Sequence, residues 1–248
     1  MRWKMLKLQV ALLPLVALLF AASGTAAPIV LTFDDVGLVH GSIVDSQYGG
    51  VTISAVNVGG GPDLAVSFDS DLLGTRDTDL EFGMGWTAGN IPSDERLGNL
   101  LIIQENPNGC LPDRVCDAPD DEGSRPAGTL IFDFDVAVTS FGFDLVDVES
   151  LGAEGGSITF FDGGSSTTIA MTTFLAGFTL GNNSANRIDP FTVAALPGIS
   201  QITRVELTLG GSAGVDNVSF EPVPEPSTAA LLGLGVAALA ARVRSRRV

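Results

Sequence analysis

The chain has 248 residues, with 29 acids against 13 lysines and arginines, one histidine and a formal charge of −16. Such a field excludes nucleic acid and anionic membrane surfaces as partners and favours cations. The richness in Val, Ile, Leu and Phe excludes disorder for the body of the chain despite its charge.

The N-terminus opens with Arg2, Lys4 and Lys7, continues as an apolar run over 8–22, and leaves it through Ser23-Gly24-Thr25-Ala26-Ala27. A basic start, a short apolar middle and a small-residue exit predict a secretory signal peptide over 1–26, cleaved after Ala26. The run is shorter than the ~20 residues a spanning helix needs, which argues against a retained anchor. All the acids lie between Asp34 and Glu225, whereas seven of the 13 basic residues sit in the first and last seven positions. The exported part therefore carries six arginines against 29 acids, a formal −23.

Residues 27–221 read as one all-β domain, a length that suits a single sandwich. Strands are predicted over 29–33, 51–56, 65–68, 100–104, 157–161, 169–173 and 215–220, separated by clusters of Gly, Asp, Asn and Pro. The clearest alternations are Leu130, Phe132 and Phe134, then Phe141, Phe143 and Leu145, then Val205, Leu207 and Leu209. Each has one buried and one wet face. The fold class that follows is a two-sheet sandwich of jelly-roll type, flanked by the signal peptide and a short C-terminal apolar helix. Two irregular, acid-rich stretches, 69–99 and 106–128, read as functional lids or mobile excursions. The second holds the two cysteines, Cys110 and Cys116, and an even count in an exported chain predicts a disulfide between them. Neither CxxC spacing nor a nearby histidine supports a metal reading for them.

Catalytic chemistry finds little to stand on. His40 is the sole histidine and has no nucleophile elbow near it, so a Ser-His-Asp arrangement is not expected. Carboxylates are so abundant that no glycosidase pair stands out. Calcium is the cofactor the residues favour. Asp216 shares parity with Val218 and Phe220, which places its carboxylate inward, where it must be paired, hydrogen-bonded or metal-bound, a structural hydrogen-bond role without metal being the alternative to calcium. Asp34 and Asp35, at the end of the first strand, would complete a structural calcium site with it. The acids of 77–81 and 117–122 are further oxygen donors, though neither run matches an EF-hand loop.

From Val223 the sequence reads Val-Pro-Glu-Pro-Ser-Thr, followed by an apolar stretch over 229–241 and the end Arg-Val-Arg-Ser-Arg-Arg-Val. Prolines at 222, 224 and 226 make a stiff, extended linker. The apolar stretch is short for an unaided span, and the arginines should stay cytoplasmic. A Pro-Glu-Pro motif, a short apolar segment and a basic end in this order resemble the PEP-CTERM sorting tail, here 222–248. The resemblance implies transient membrane anchoring and removal of the tail by an exosortase-type membrane enzyme, with Val223, Pro224, Glu225 and Pro226 as its recognition residues. It also implies export across the inner membrane of a Gram-negative bacterium to the envelope or the extracellular space. In the body, Leu31-Thr-Phe-Asp-Asp35, Gly98-Asn-Leu-Leu-Ile-Ile-Gln-Glu105 and Gly214-Val-Asp-Asn-Val-Ser-Phe220 are similar to carbohydrate-binding jelly rolls, in which first and last strands pair and can share calcium. The expected function is that of a non-enzymatic surface or biofilm-matrix protein with a structural or glycan-binding module and extracellular polysaccharide as its partner. The alternative is an exported enzyme acting on polysaccharide.

Overall fold

The computed structural model describes residues 26–107, 109–110, 114–121, 125–224 and 235. The predicted signal peptide, except Ala26, and Glu225 and Pro226 of the sorting tail lie outside the described residues. The chain divides into two compact units, Pro28–Val223 and the termini Met1–Ala27 with Pro224–Val248. Of the terminal unit, Gly235 is described as helical. No helix among the described residues is long and apolar enough to cross a membrane.

The body is all-β. Its strands are β1 (Ile29–Leu31), β2 (Val51–Asn57), β3 (Ala65–Asp69), β4 (Ala88–Gly89), β5 (Asn99–Ile103), β6 (Gly128–Val146), β7 (Ser157–Asp162), β8 (Ser165–Ala170), β9 (Ser184–Thr192), β10 (Ile202–Leu209) and β11 (Gly214–Pro222). One helical turn, α1 (Met171–Phe174), takes the place of the strand expected at 169–173. The two Phe-rich alternations are not separate strands but the two halves of the 19-residue β6.

That strand organises the fold. Its first half pairs with β2 on one side and β10 on the other, and β10 continues to β7 and β8. Its second half pairs with β9 and β11. β11 then takes both β5 and β1 along its far side, and β5 takes β3. A strand shared in this way turns the corner between two sheets. Residues of the two halves meet across the interior: Phe141 packs on Phe132, Phe134 and Phe160, and Phe134 on Phe220. The result is the expected sandwich, with first and last strands paired, Leu31 opposite Val218 and Ile29 opposite Phe220.

The second half-sheet is buried on both faces. Leu101, Ile103, Leu145 and Val215 join the main core, whereas Leu100, Ile102, Val66, Phe68 and Val146 face a second core. This is why 100–103 reads Leu-Leu-Ile-Ile without alternation. Leu80, Phe82, Trp86, Ile91 and Leu97 close the second core from outside. The stretch 69–99 is therefore a packed layer rather than a mobile excursion. Trp86 is buried there, with its indole N–H donating to the Glu95 carbonyl at 2.7 Å.

Cys110 and Cys116 are joined as expected, and both line the second core. Thiol alkylation of the exported protein should find no free thiol before reduction and two after it. Because the closed loop is short, loss of the bond should cost about 2 kcal/mol or less.

Candidate functional site

Asp216, Asp144 and Arg187 form one row across three neighbouring strands: Asp216 opposes Asp144 on β6, which opposes Arg187 on β9. The residues next to Asp144 and Asp216, Leu145 and Val215, enter the main core, so the polar row stands on the other face. Parity from Val218 and Phe220 does not carry to Asp216, because a bulge intervenes. Three steps along β11, from Asp216 to Ser219, match two along β6, from Asp144 to Gly142, and Asn217 takes a left-handed backbone with φ 47°. Asp216 is nonetheless buried, by covering loops rather than by the sandwich interior.

Asp216 is 1 % exposed, and neither carboxylate oxygen has a hydrogen-bond partner of good geometry. Burial pushes it up to about 9, against a partial offset from the poorly aligned Asn217 backbone amide, and Asp144 and Asp34 add to it. Asp34 lies in the loop after β1, where its Oδ1 accepts the Asn99 amide at 2.8 Å. Gly98 permits that approach: a Cβ there would fall 2.3 Å from Asp34 Oδ1, and its φ is +69°. The Asn99 side chain donates to the Phe33 carbonyl at 3.1 Å and leaves its own Oδ1 buried without a partner. Asp35 is exposed and sits beside Tyr48, whose hydroxyl is raised first by burial and then by Asp35. The structure thus sets Asp34 near Asp216, with the Asn99 amide on Asp34, and turns Asp35 toward Tyr48. Among the described residues no three His, Cys, Asp or Glu side chains form a ready-made metal group. A calcium ion on Asp216 would draw its remaining ligands from amide and carbonyl oxygens, as calcium commonly does.

Beside Asp216 opens a crevice of about 330 Å³, lined by Val30, Phe143, Ile188 and Pro190 on its apolar side and by Glu95, Asp144, Arg187, Asp189, Asn217 and Ser219 on its polar side. Arg187 grips Asp144 with Nε at 3.0 Å and Nη2 at 2.9 Å, and reaches Glu95 at 2.7 Å. These bonds, Asp144 first, raise its already high pKa. Asn217 donates to Asp144 at 2.9 Å, and Asn90 clasps the Arg187 backbone through both amide atoms. The sequence reading missed this network. Asp144 was visible only as an outward position, and β9 was unrecognised because its run Ser-Ala-Asn-Arg-Ile-Asp-Pro-Phe-Thr is polar and carries Pro190 at a register shift.

His40 is held by structural contacts. Its Nδ1 accepts the Asp69 amide at 3.1 Å, its ring stands against Phe68, and burial lowers its pKa. The acids of 77–81 and 117–122 part company. Asp120 pairs with Arg76, while Asp77 and Asp121 turn inward to meet Asp147. Glu122 lies outside the described residues.

At its end the body leads straight into the tail. The Val223 amide still donates to the Ala137 carbonyl at 2.8 Å, one residue before Pro-Glu-Pro begins. Residues 222–247 match the PEP-CTERM protein-sorting motif. The chain carries a PEP-CTERM sorting signal. It is accordingly exported across the inner membrane of a Gram-negative bacterium to the cell surface or the extracellular space. The motif implies processing by exosortase, a membrane enzyme. No curated protein matches the chain. Among solved structures, the K2 cleaved adhesin domain of Lys-gingipain (Kgp) is similar at 11% identity and a TM-score of 0.36, over 78% of this chain and 97% of that one.

Proposed function

We propose that this PEP-CTERM protein is a non-enzymatic component of a surface or biofilm matrix, and that its sandwich binds extracellular polysaccharide at the Arg187 crevice. The observation that carries this reading is the crevice itself, whose lining sets the hydrogen-bonded Arg187, Asp144 and Asn217 together with the apolar Val30, Ile188 and Pro190. Sugars present hydroxyls and C–H faces together, and sites for them combine a few oriented polar groups with an apolar surface. Trp86 and Tyr48 are both buried, so stacking on those rings is not the binding mode. With a formal −23 on the exported part, neutral or amino sugars are better ligands than anionic ones.

The alternative, an exported polysaccharide hydrolase, needs one carboxyl free to hand over a proton. Asp144 and Glu95 are both engaged by the same guanidinium, which favours binding over turnover. In the same proposal, calcium held by Asp216, Asp34 and the Asn99 oxygen ties the first strand to the last and sets the crevice wall at Asn217.

A glycan array with a reducing-sugar release assay tests the reading. The exported protein should bind neutral or amino-sugar polymers and release no reducing ends. Val30→Trp, which fills the crevice and spares the arginine network, should weaken binding at least ~10-fold. Release of reducing ends would establish the hydrolase instead. Binding unchanged in Val30→Trp would move the glycan site elsewhere.

A further inference from the structure

The buried acids at the other end of the second core are independent of the crevice and of calcium at Asp216. Asp77 in the covering layer, Asp121 in the disulfide segment and Asp147 just after β6 are each at most 1 % exposed. Ser212, between β10 and β11, joins two of them: its Oγ lies 3.0 Å from Asp121 Oδ1 and 3.2 Å from Asp147 Oδ2. The Ala213 amide donates to Asp121 at 2.7 Å, and the Asn183 amide to Asp147 at 2.6 Å. The Asp121 amide lies 3.4 Å from Asp77 Oδ2, and Asp77 Oδ1 has no partner at all.

Donors and charges do not balance if all three carboxyls are ionised. Ser212 has one hydroxyl proton and two short carboxyl contacts, so a second proton must come from a carboxyl to make both of them hydrogen bonds. Nearby charges give no relief. Asp79 adds to the repulsion at Asp147, Arg76 is paired with Asp120, and Arg125 is paired with Glu149 and Glu154 next to Gly211. Uncompensated carboxylates in such a place are very costly. Three of them around one metal position would be the other remedy, but that arrangement is not found among the described residues.

We infer that Asp77, Asp121, Asp147 and Ser212 form a proton-held latch that fastens the covering layer and the disulfide segment to the ends of β6 and β11, and that releases them as the medium turns alkaline. Burial, and then Asp77, hold the Asp121 carboxyl well above the usual range, and burial pushes Asp147 up to about 8. The sign follows. A folded-state pKa raised above an unfolded value near 4 contributes stability that is fully present below about pH 4 and is lost as pH rises toward 8.

Melting of the exported protein in chelator between pH 8.5 and 5.5, with Trp86 fluorescence as a second reading, tests the latch. The melting temperature should climb on acidification, and Asp121→Asn should lose at least half of that slope. Asp94→Asn, at an exposed acid, should keep the wild-type slope and so account for general charge repulsion. Trp86 emission should move to longer wavelength above pH 8 in the wild type and stay fixed in Asp121→Asn. A wild-type slope in Asp121→Asn would overturn the latch. So would calcium that abolishes the wild-type slope at pH 8.5 but leaves Asp121→Asn unaffected, since the cluster would then be a cation site. Should Asp121→Asn fail to fold, carbon-13 titration of the wild-type aspartates decides: two buried carboxyls besides Asp216 titrating above pH 6 support the latch, and fewer than two overturn it.

Discussion

Replacing Pro224-Glu225-Pro226 by three alanines leaves export intact and abolishes removal of the C-terminal tail. The predicted signal peptide and the motif lie at opposite ends of the chain, so translocation should not depend on the motif. Processing should, because Pro224 and Pro226 each fix φ and lack an amide donor, directly after Val223, whose amide donates to the Ala137 carbonyl. Three alanines restore the donors and free the backbone to coil. Mass spectrometry of the membrane and surface fractions reads the outcome. The wild type should end near the motif, and the triple variant should keep its arginine-rich end and stay with the membrane. A normally trimmed variant would show that the enzyme reads some other feature of the tail.

On the calcium proposal, removing calcium should lower the melting temperature of the exported protein. The folded state alone sets Asp34 beside the buried Asp216, so an ion bound there stabilises by mass action. At a hundred times its dissociation constant the effect is about 2.7 kcal/mol. For a domain of this size that is roughly 5–10 °C. Asp216→Asn should show no calcium response. In chelator at neutral pH it should melt at or slightly above the wild type, because the carboxyl it replaces is held up to about 9 by burial and is carried in neutral form. Equal wild-type melting in calcium and chelator would remove the ion from the site. A response retained in Asp216→Asn would relocate it. Because the latch is measured in chelator and through Asp121, the two results are separable.

Asp216 shows how a correct residue can be reached through an incomplete reason. Its sequence context, an acid in an apolar strand, marked it as one needing a partner. The face it occupies was misjudged, since a bulge leaves no trace in a period-two pattern unless Asn217 is recognised as left-handed. Asp144 and Arg187 were out of reach for a different reason. They are 43 residues apart, and only the pairing of β6 with β9 makes them neighbours. The same holds for Asp77, Asp121 and Asp147, which come from three segments with no common pattern.

What the sequence determined by itself is what depends on local order along the chain. The sorting tail, the disulfide and most strands rest on residues close together along the chain, and those relations survive in any fold. Only the tertiary structure decided that two Phe-rich alternations are one bent strand, that 69–99 is a second core layer, and which carboxylates lose their water. Burial and cross-strand partnership are properties of distant segments brought together, and the free energy of a charge is set by them rather than by its neighbours in sequence.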